Sequence, residues 1–225
     1  MTDAPLLFLD ANTLASSLAR TLVLTGASAD GLGWTWSQHV ETEADGHARG
    51  AMPTSVVRKK HLRVNLSPTA RSTRGLVTKT IGDRTVLADA ITAGARYLIT
   101  TDVDDFAFVD LAKHEMSAVN PDYFMALRYS EQAYRKALAV IAGSQKNPPR
   151  TEAELHRILG RRHPRLTGRF ADAYETIPVE ADRDQPSVVF RGVACIRCAA
   201  LVDGKEGLKI GLCNEHLAAA GVQAG

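Results

Sequence analysis

At 225 residues, 45% of them apolar, the chain has room for one α/β domain with a real core plus an appendage, and not for two large domains. Its formal charge of +2 hides an uneven distribution, so net charge excludes little about partners. The start, MTDAPLLFLDANT, has no basic leader and its apolar run is interrupted by Asp10, which excludes a signal peptide or a membrane span there; no other stretch reaches membrane length, and a soluble cytoplasmic protein is expected.

In chain order, the run LLFL at 6–9 reads as a short interior strand. It ends in Asp10, with Asn12 two places on. Either residue can cap the helix expected over 14–24, and an acid at a strand end can also serve a ligand. A strand over 33–36 and a helix from Ser37 to about Arg49 follow. Such alternation predicts parallel strands joined by crossover helices. After a less regular segment with a strand expected at 62–66, Val86, Leu87, Ala90 and Ile91 form one helical face, Gly94 supplies the stop, and 97–100 is the next strand. A strand at 116–119 runs into Asn120, a helix cap, and Pro121 at the first helical position.

Beyond about residue 128 the pattern changes. A helix over 130–142, the linker QKNPPR, and Thr151 with Glu154 in capping-box spacing lead to an acidic, irregular stretch at 170–186. Three segments result: an α/β domain over 1–129, a basic helical extension and linker over 130–185, and a C-terminal module over 186–225.

The carboxylates carry the functional signal. YLITTD places Asp102 after a second apolar strand, so Asp10 and Asp102 face the same crevice at the strand ends. Asp83 projects into the apolar face of the helix that follows it, whereas Asp89 lies more than about 100° away on that wheel and is expected on a solvated face. On the helix after Ser37, Glu43 shares a face with Val40, Ala44 and His47, and Glu41 is turned away. Helix capping by Asp83 and a surface position for Glu43 are the simpler alternatives. Taken together, carboxylates converging with no basic partner nearby cannot all stay ionised without a cation between them. Hard oxygen donors suit Mg²⁺ or Mn²⁺, and those metals suit phosphoryl chemistry.

FLDANTL, WSQHVETEA, GDRTVLADAITAGARYLITTDVDDF and VNPDYF, in this order, resemble PIN-domain ribonucleases, especially the VapC-type toxins of toxin-antitoxin pairs. The resemblance covers residues 5 to about 129. It implies a three-layer fold with a central parallel sheet, and a metal-holding quartet of Asp10, Glu43, Asp83 and Asp102, with Thr100 as the strand-end hydroxyl. It further implies hydrolysis of RNA by an Mg²⁺- or Mn²⁺-activated water and an antitoxin protein as partner; a homodimer is left open. Asp104 and Asp105 either assist Asp102 or are loop acids.

Between Glu43 and Asp83 runs VVRKKHLRVN, in which Arg58, Lys59, Lys60 and Arg63 either grip RNA phosphates or belong to a solvated loop. A second basic group comprises Arg157, Arg161, Arg162, Arg165 and Arg169. The three cysteines, all at or beyond Cys195, are an odd number and fit poorly with disulfides. Cys195, Cys198, Cys213 and His216, spaced C-x2-C-x14-C-x2-H, supply four Zn²⁺ ligands as two short chelating pairs. Asp203 and Gly204 are expected to turn a hairpin between the pairs, and CNEHLAAAG to start a helix. That order resembles a treble-clef zinc finger, although Ala199 stands where such knuckles usually carry glycine.

Overall fold

The computed structural model describes residues 4–48, 50–145, 147–177 and 186–220. Residues 178–185 of the acidic stretch expected at 170–186 therefore lie outside the described residues. The order begins β1 (Leu6–Leu9), α1 (Ala11–Ala15), α2 (Ser17–Ala29), β2 (Gly33–Thr35), α3 (Gln38–His47) and α4 (Thr54–Val57). It continues with α5 (Ile81–Thr92), β3 (Tyr97–Ile99), α6 (Phe108–Lys113), β4 (Ser117–Val119), α7 (Pro121–Arg128) and α8 (Glu131–Ser144). The last elements are α9 (Glu152–Leu159), α10 (Pro164–Arg169), β5 (Phe190–Gly192), α11 (Lys205–Ile210) and α12 (Asn214–Ala219).

The strands form one sheet in the order β2-β1-β3-β4-β5. The first four are parallel and β5 is antiparallel to β4, an α/β fold with helices packed around a mostly parallel sheet. Leu7, Leu9, Tyr97, Ile99 and Val119 are fully buried, because helices cover both faces and leave no solvated side to alternate toward. The chain leaves β1 toward β2 on one side and returns past it to β3 on the other. That reversal opens a crevice at the carboxyl ends of β1 and β3.

The fifth strand comes from the C-terminal segment, and Phe190 enters the same core as β1. Gly192 lies so close to β4 that a Cβ there would meet the Met116 carbonyl and the Ser117 Cα, each at 2.4 Å. Only glycine lets the two backbones approach this far. The helical extension is equally continuous with the domain: Tyr129 covers Gly26 of α2, and Tyr134 stacks on Phe170. One apolar core thus crosses both expected segment boundaries, near 130 and near 186.

Several expectations need local correction. The helix expected over 14–24 begins at Ala11 and is broken at Ser16, whose extended backbone and side chain cap α2 instead. No strand forms at 62–66. Residues 58–62 close a wide helical turn that ends at Arg63 in a left-handed conformation (φ 56°), and the following chain makes one backbone bond beyond the end of β2, from Ser67 N to Trp36 O. Asp89 is buried rather than solvated, because the segment before α5 folds back over that face and Ala70 N donates to its Oδ1 at 2.6 Å. Asp203 and Gly204 lead into α11, not into a hairpin arm.

Candidate active site and metal centre

The crevice at the ends of β1 and β3 is a cleft of about 440 Å³ lined by Asp10, Asn12, Glu43, His47, Asp83 and Asp102 among others. All four acids of the expected quartet therefore reach one cavity. Among the described residues that line it there is no lysine or arginine. Asp10 sits where β1 gives way to α1: its Oδ1 accepts from Ala11 N at 2.7 Å as the helix cap, and its Oδ2 accepts from Thr100 Oγ1 at 2.7 Å. Capping and cleft-lining are shared between the two oxygens of one carboxylate. Burial pushes the Asp10 carboxyl up to about 6, against the bonds from Thr100 and Ala11, and the Glu43 and Asp102 charges add to the rise.

Asn12 organises the cleft floor. Its Nδ2 lies 3.0 Å from Asp10 Oδ2, from Thr100 Oγ1 and from Asp102 Oδ2, and its Oδ1 accepts from Thr101 N at 3.2 Å. One amide thereby ties the end of β1 to the end of β3 and spaces two carboxylates that repel. Sequence reasoning treated Asn12 only as a cap; its position two residues after a strand-end acid was the available signal. Thr100, fully buried, also accepts from Asp102 N at 3.1 Å and so links the two acids directly. Asp83 stands in the first turn of α5, where Thr80 is the cap and donates to Asp83 Oδ2 at 2.6 Å. Thr80 and His47 were also missed as cleft-lining residues.

The phase of α3 differs from expectation. Glu41 is the buried acid, accepting from Trp36 Nε1 and paired with Arg58 at 2.5 Å, while Glu43 is exposed at the cleft mouth. Both acids border the Val40 and Ala44 stripe, and the Trp36–Arg58 side draws the helix toward Glu41. Arg58 is consequently committed to Glu41, and only Lys59, Lys60 and Arg63 of the expected phosphate-gripping set are exposed. Lys79 holds Asp105 at 2.7 Å outside the cleft lining, and Asp104 is exposed beside it. In the second basic group, Arg165 lies 3.8 Å from Asp122 and Arg169 donates to Ala126 O, so those arginines do not act as one patch.

At the C-terminus Cys195, Cys198, Cys213 and His216 bring four donor atoms within 4.8 Å of one another. Cys198 and Cys213 sulfurs are 3.6 Å apart, and His216 Nδ1 lies 3.7 Å from Cys195 Sγ and 3.1 Å from Cys213 Sγ. A tetrahedral Zn²⁺ with its usual bond lengths needs edges of about 3.6–3.8 Å, a spacing consistent with donors that all lie within 4.8 Å of one another. Ala199 adopts φ 61°, the left-handed turn that the knuckle requires, and keeps the geometry without glycine. Burial opposes ionisation of Cys195, but backbone N–H groups of Cys213, Cys198 and Arg197 bring its thiol below the ordinary range. Burial and the neighbouring sulfurs push Cys198 up to about 12. One thiolate forms readily and the next resists, as expected of clustered sulfurs that a cation would balance.

Among the described residues no helix is long and apolar enough to cross a membrane. No family model, no curated protein and no solved structure matches the chain.

Proposed function

We propose that the protein is a divalent-metal-dependent ribonuclease of PIN type. The observation that carries this reading is the cleft at the sheet reversal, where Asp10, Glu43, Asp83 and Asp102 meet without a lysine or arginine among its described lining. The donor set fits Mg²⁺ or Mn²⁺: the oxygens are hard, and the raised Asp10 carboxyl is that of an acid lacking a compensating cation. When bound, such an ion supplies an activated water near neutral pH and neutralises charge on the scissile phosphate.

The chain's own groups do the rest. Asp10 and Asp102 would hold the ion from the cleft floor, Glu43 from its mouth and Asp83 from the α5 side. Thr100 and Asn12 fix the two floor carboxylates by donating to them, so their free lone pairs stay aimed at the cavity. Lys59, Lys60 and Arg63 are exposed and available to phosphates flanking the cleft. The same reading makes the protein a cytoplasmic toxin partnered by an antitoxin, with one Zn²⁺ at Cys195, Cys198, Cys213 and His216 serving a structural role.

Purified zinc-loaded protein incubated with total RNA should cleave it only when Mg²⁺ or Mn²⁺ is added, and Asp10→Asn should abolish cleavage while retaining the fold. Induced expression should arrest growth in the wild type and not in that variant. Cleavage independent of divalent ions, or undiminished in Asp10→Asn, would overturn the reading.

A further inference from the structure

The opposite end of the sheet carries a second polar hollow that the acidic cleft does not use. It measures about 390 Å³ and is lined by Arg128, Arg169, Arg197, Asp30, Ser130 and His216 among others. Arg128 also lines an adjoining hollow with Leu6 and Arg96, residues at the starts of β1 and β3, whereas the acids stand at the strand ends. The three arginines come from the end of α7, the end of α10 and the knuckle between Cys195 and Cys198. Folding alone brings them together.

We infer that this hollow is a phosphate-binding site formed by Arg128, Arg169 and Arg197. The charge count is the first argument. Three arginines line the hollow together with Asp30, whose carboxylate oxygens already accept from Ser130 N at 2.9 Å and Ser130 Oγ at 2.6 Å. Three thiolates on a bound Zn²⁺ leave a single net negative charge beside them. The arginines outnumber both together. A donor is also left unmet: Arg197 Nε is buried and has no hydrogen-bond partner among the described residues. Arg128 donates to Arg197 O and Arg169 to Ala126 O at 2.5 Å, bonds that hold these side chains while leaving other guanidinium N–H groups for a ligand. Burial, and then the nearby Arg197 charge, push the Arg169 guanidinium below its ordinary value, which an oxyanion between them would relieve.

Planar guanidiniums in a group match the tetrahedral oxygens of a phosphate, and forked donation distinguishes it from a spherical anion. The phosphate can be free or part of an RNA backbone, and the inference does not depend on the cleft being catalytic. Zinc-loaded protein without added divalent metal would be titrated with inorganic phosphate and with a short single-stranded oligoribonucleotide, against chloride at matched ionic strength. Binding of either is expected to weaken about tenfold or more in Arg197→Gln and in Arg169→Gln, with Arg197→Lys intermediate. Phosphate binding that follows this order identifies a free oxyanion, and oligonucleotide binding alone that follows it identifies a phosphodiester. Zinc content and circular dichroism check each variant; if Arg197→Gln loses its zinc, Arg169→Gln, which lies outside the cysteine knuckle, decides. Binding of neither probe, or binding unchanged in the folded variants, would overturn the assignment.

Discussion

The acidic cleft and the cysteine–histidine cluster are both sets of metal-type donors, and the fold treats them in opposite ways. In the cluster, two short chelating pairs draw four atoms within 4.8 Å, a span that a single ion can bridge. The cleft acids come from four separate elements. They share a cavity of about 440 Å³ with Asn12, His47 and Thr80 among its lining. The difference is one of charge and neighbours. Thiols can share protons and contract, whereas carboxylates spaced by Asn12 along a cleft of about 440 Å³ leave room for a substrate as well as an ion. Closed sites stabilise, and open ones retain positions for chemistry.

The largest expected effect lies at the closed site. Cys213→Ser, or chelation of the wild type, should remove the zinc and cost on the order of 3–5 kcal/mol of stability. Because β5 belongs to the main sheet, and Tyr97 and Tyr123 donate to the carbonyls of Cys195 and Ile210, hydrogen exchange should accelerate in β4 as well as in 190–220. Acceleration confined to 190–220 would show a detachable module and break the link between cluster and sheet.

At the open site the expected signature is the reverse. Asp10→Asn should lower RNA cleavage by about a hundredfold or more while leaving metal-free stability at pH 7.5 equal or up to about 2 kcal/mol higher, since it removes a disfavoured buried charge. Chemical denaturation beside a gel-based cleavage assay reads both quantities. A variant that cleaves normally would reduce Asp10 to the cap of α1.

How much of this was legible in the sequence depends on what set each position. Strand-end acids were readable because β1 and β3 are unbroken apolar runs, and such runs fix where the chain leaves the sheet. The Cys195, Cys198, Cys213 and His216 cluster was readable because chelating spacing is local. Helix phase was not: Val40 and Ala44 fix the buried stripe of α3, but Trp36 and Arg58, outside the helix, decide which flanking glutamate goes in. Asp89 failed for a related reason, since the segment that buries it has no periodicity of its own. The sheet membership of β5 rests on a three-residue strand whose main requirement, the absent side chain at Gly192, reads like any turn glycine.

The Glu41–Arg58 pair tests that lesson at a smaller scale. Arg58→Ala leaves a buried carboxylate without its partner and should cost about 2 kcal/mol by urea denaturation. Lys59→Ala with Lys60→Ala should leave stability within about 0.5 kcal/mol and instead reduce the salt dependence of RNA binding by up to about two units. A stable Arg58→Ala protein with a reduced salt slope would return Arg58 to the RNA-facing group.

The smallest effect separates the cleft from the helical extension by pH. Asp10 has its carboxyl raised from 3.8 to about 6, so between those values the folded state holds a proton that the unfolded state has lost. Its contribution to stability therefore falls as pH rises through that window. His163, buried with its Nδ1 unpartnered among the described residues, is lowered from 6.5 to about 4 by burial and by Arg162. The unfolded state takes up its proton first, so this contribution is complete above pH 6.5 and is lost as pH falls toward 4. The two slopes oppose each other and partly cancel in the wild type. Asp10→Asn should steepen the acid loss, by about 1 kcal/mol between pH 7 and 5.5, and His163→Leu should flatten it over the same range. Mg²⁺ should imitate the first variant, because an ion in the cleft displaces the Asp10 proton, and should leave the His163 slope untouched. Denaturation midpoints across this range that shift with Mg²⁺ in Asp10→Asn as much as in the wild type would show that the ion binds elsewhere.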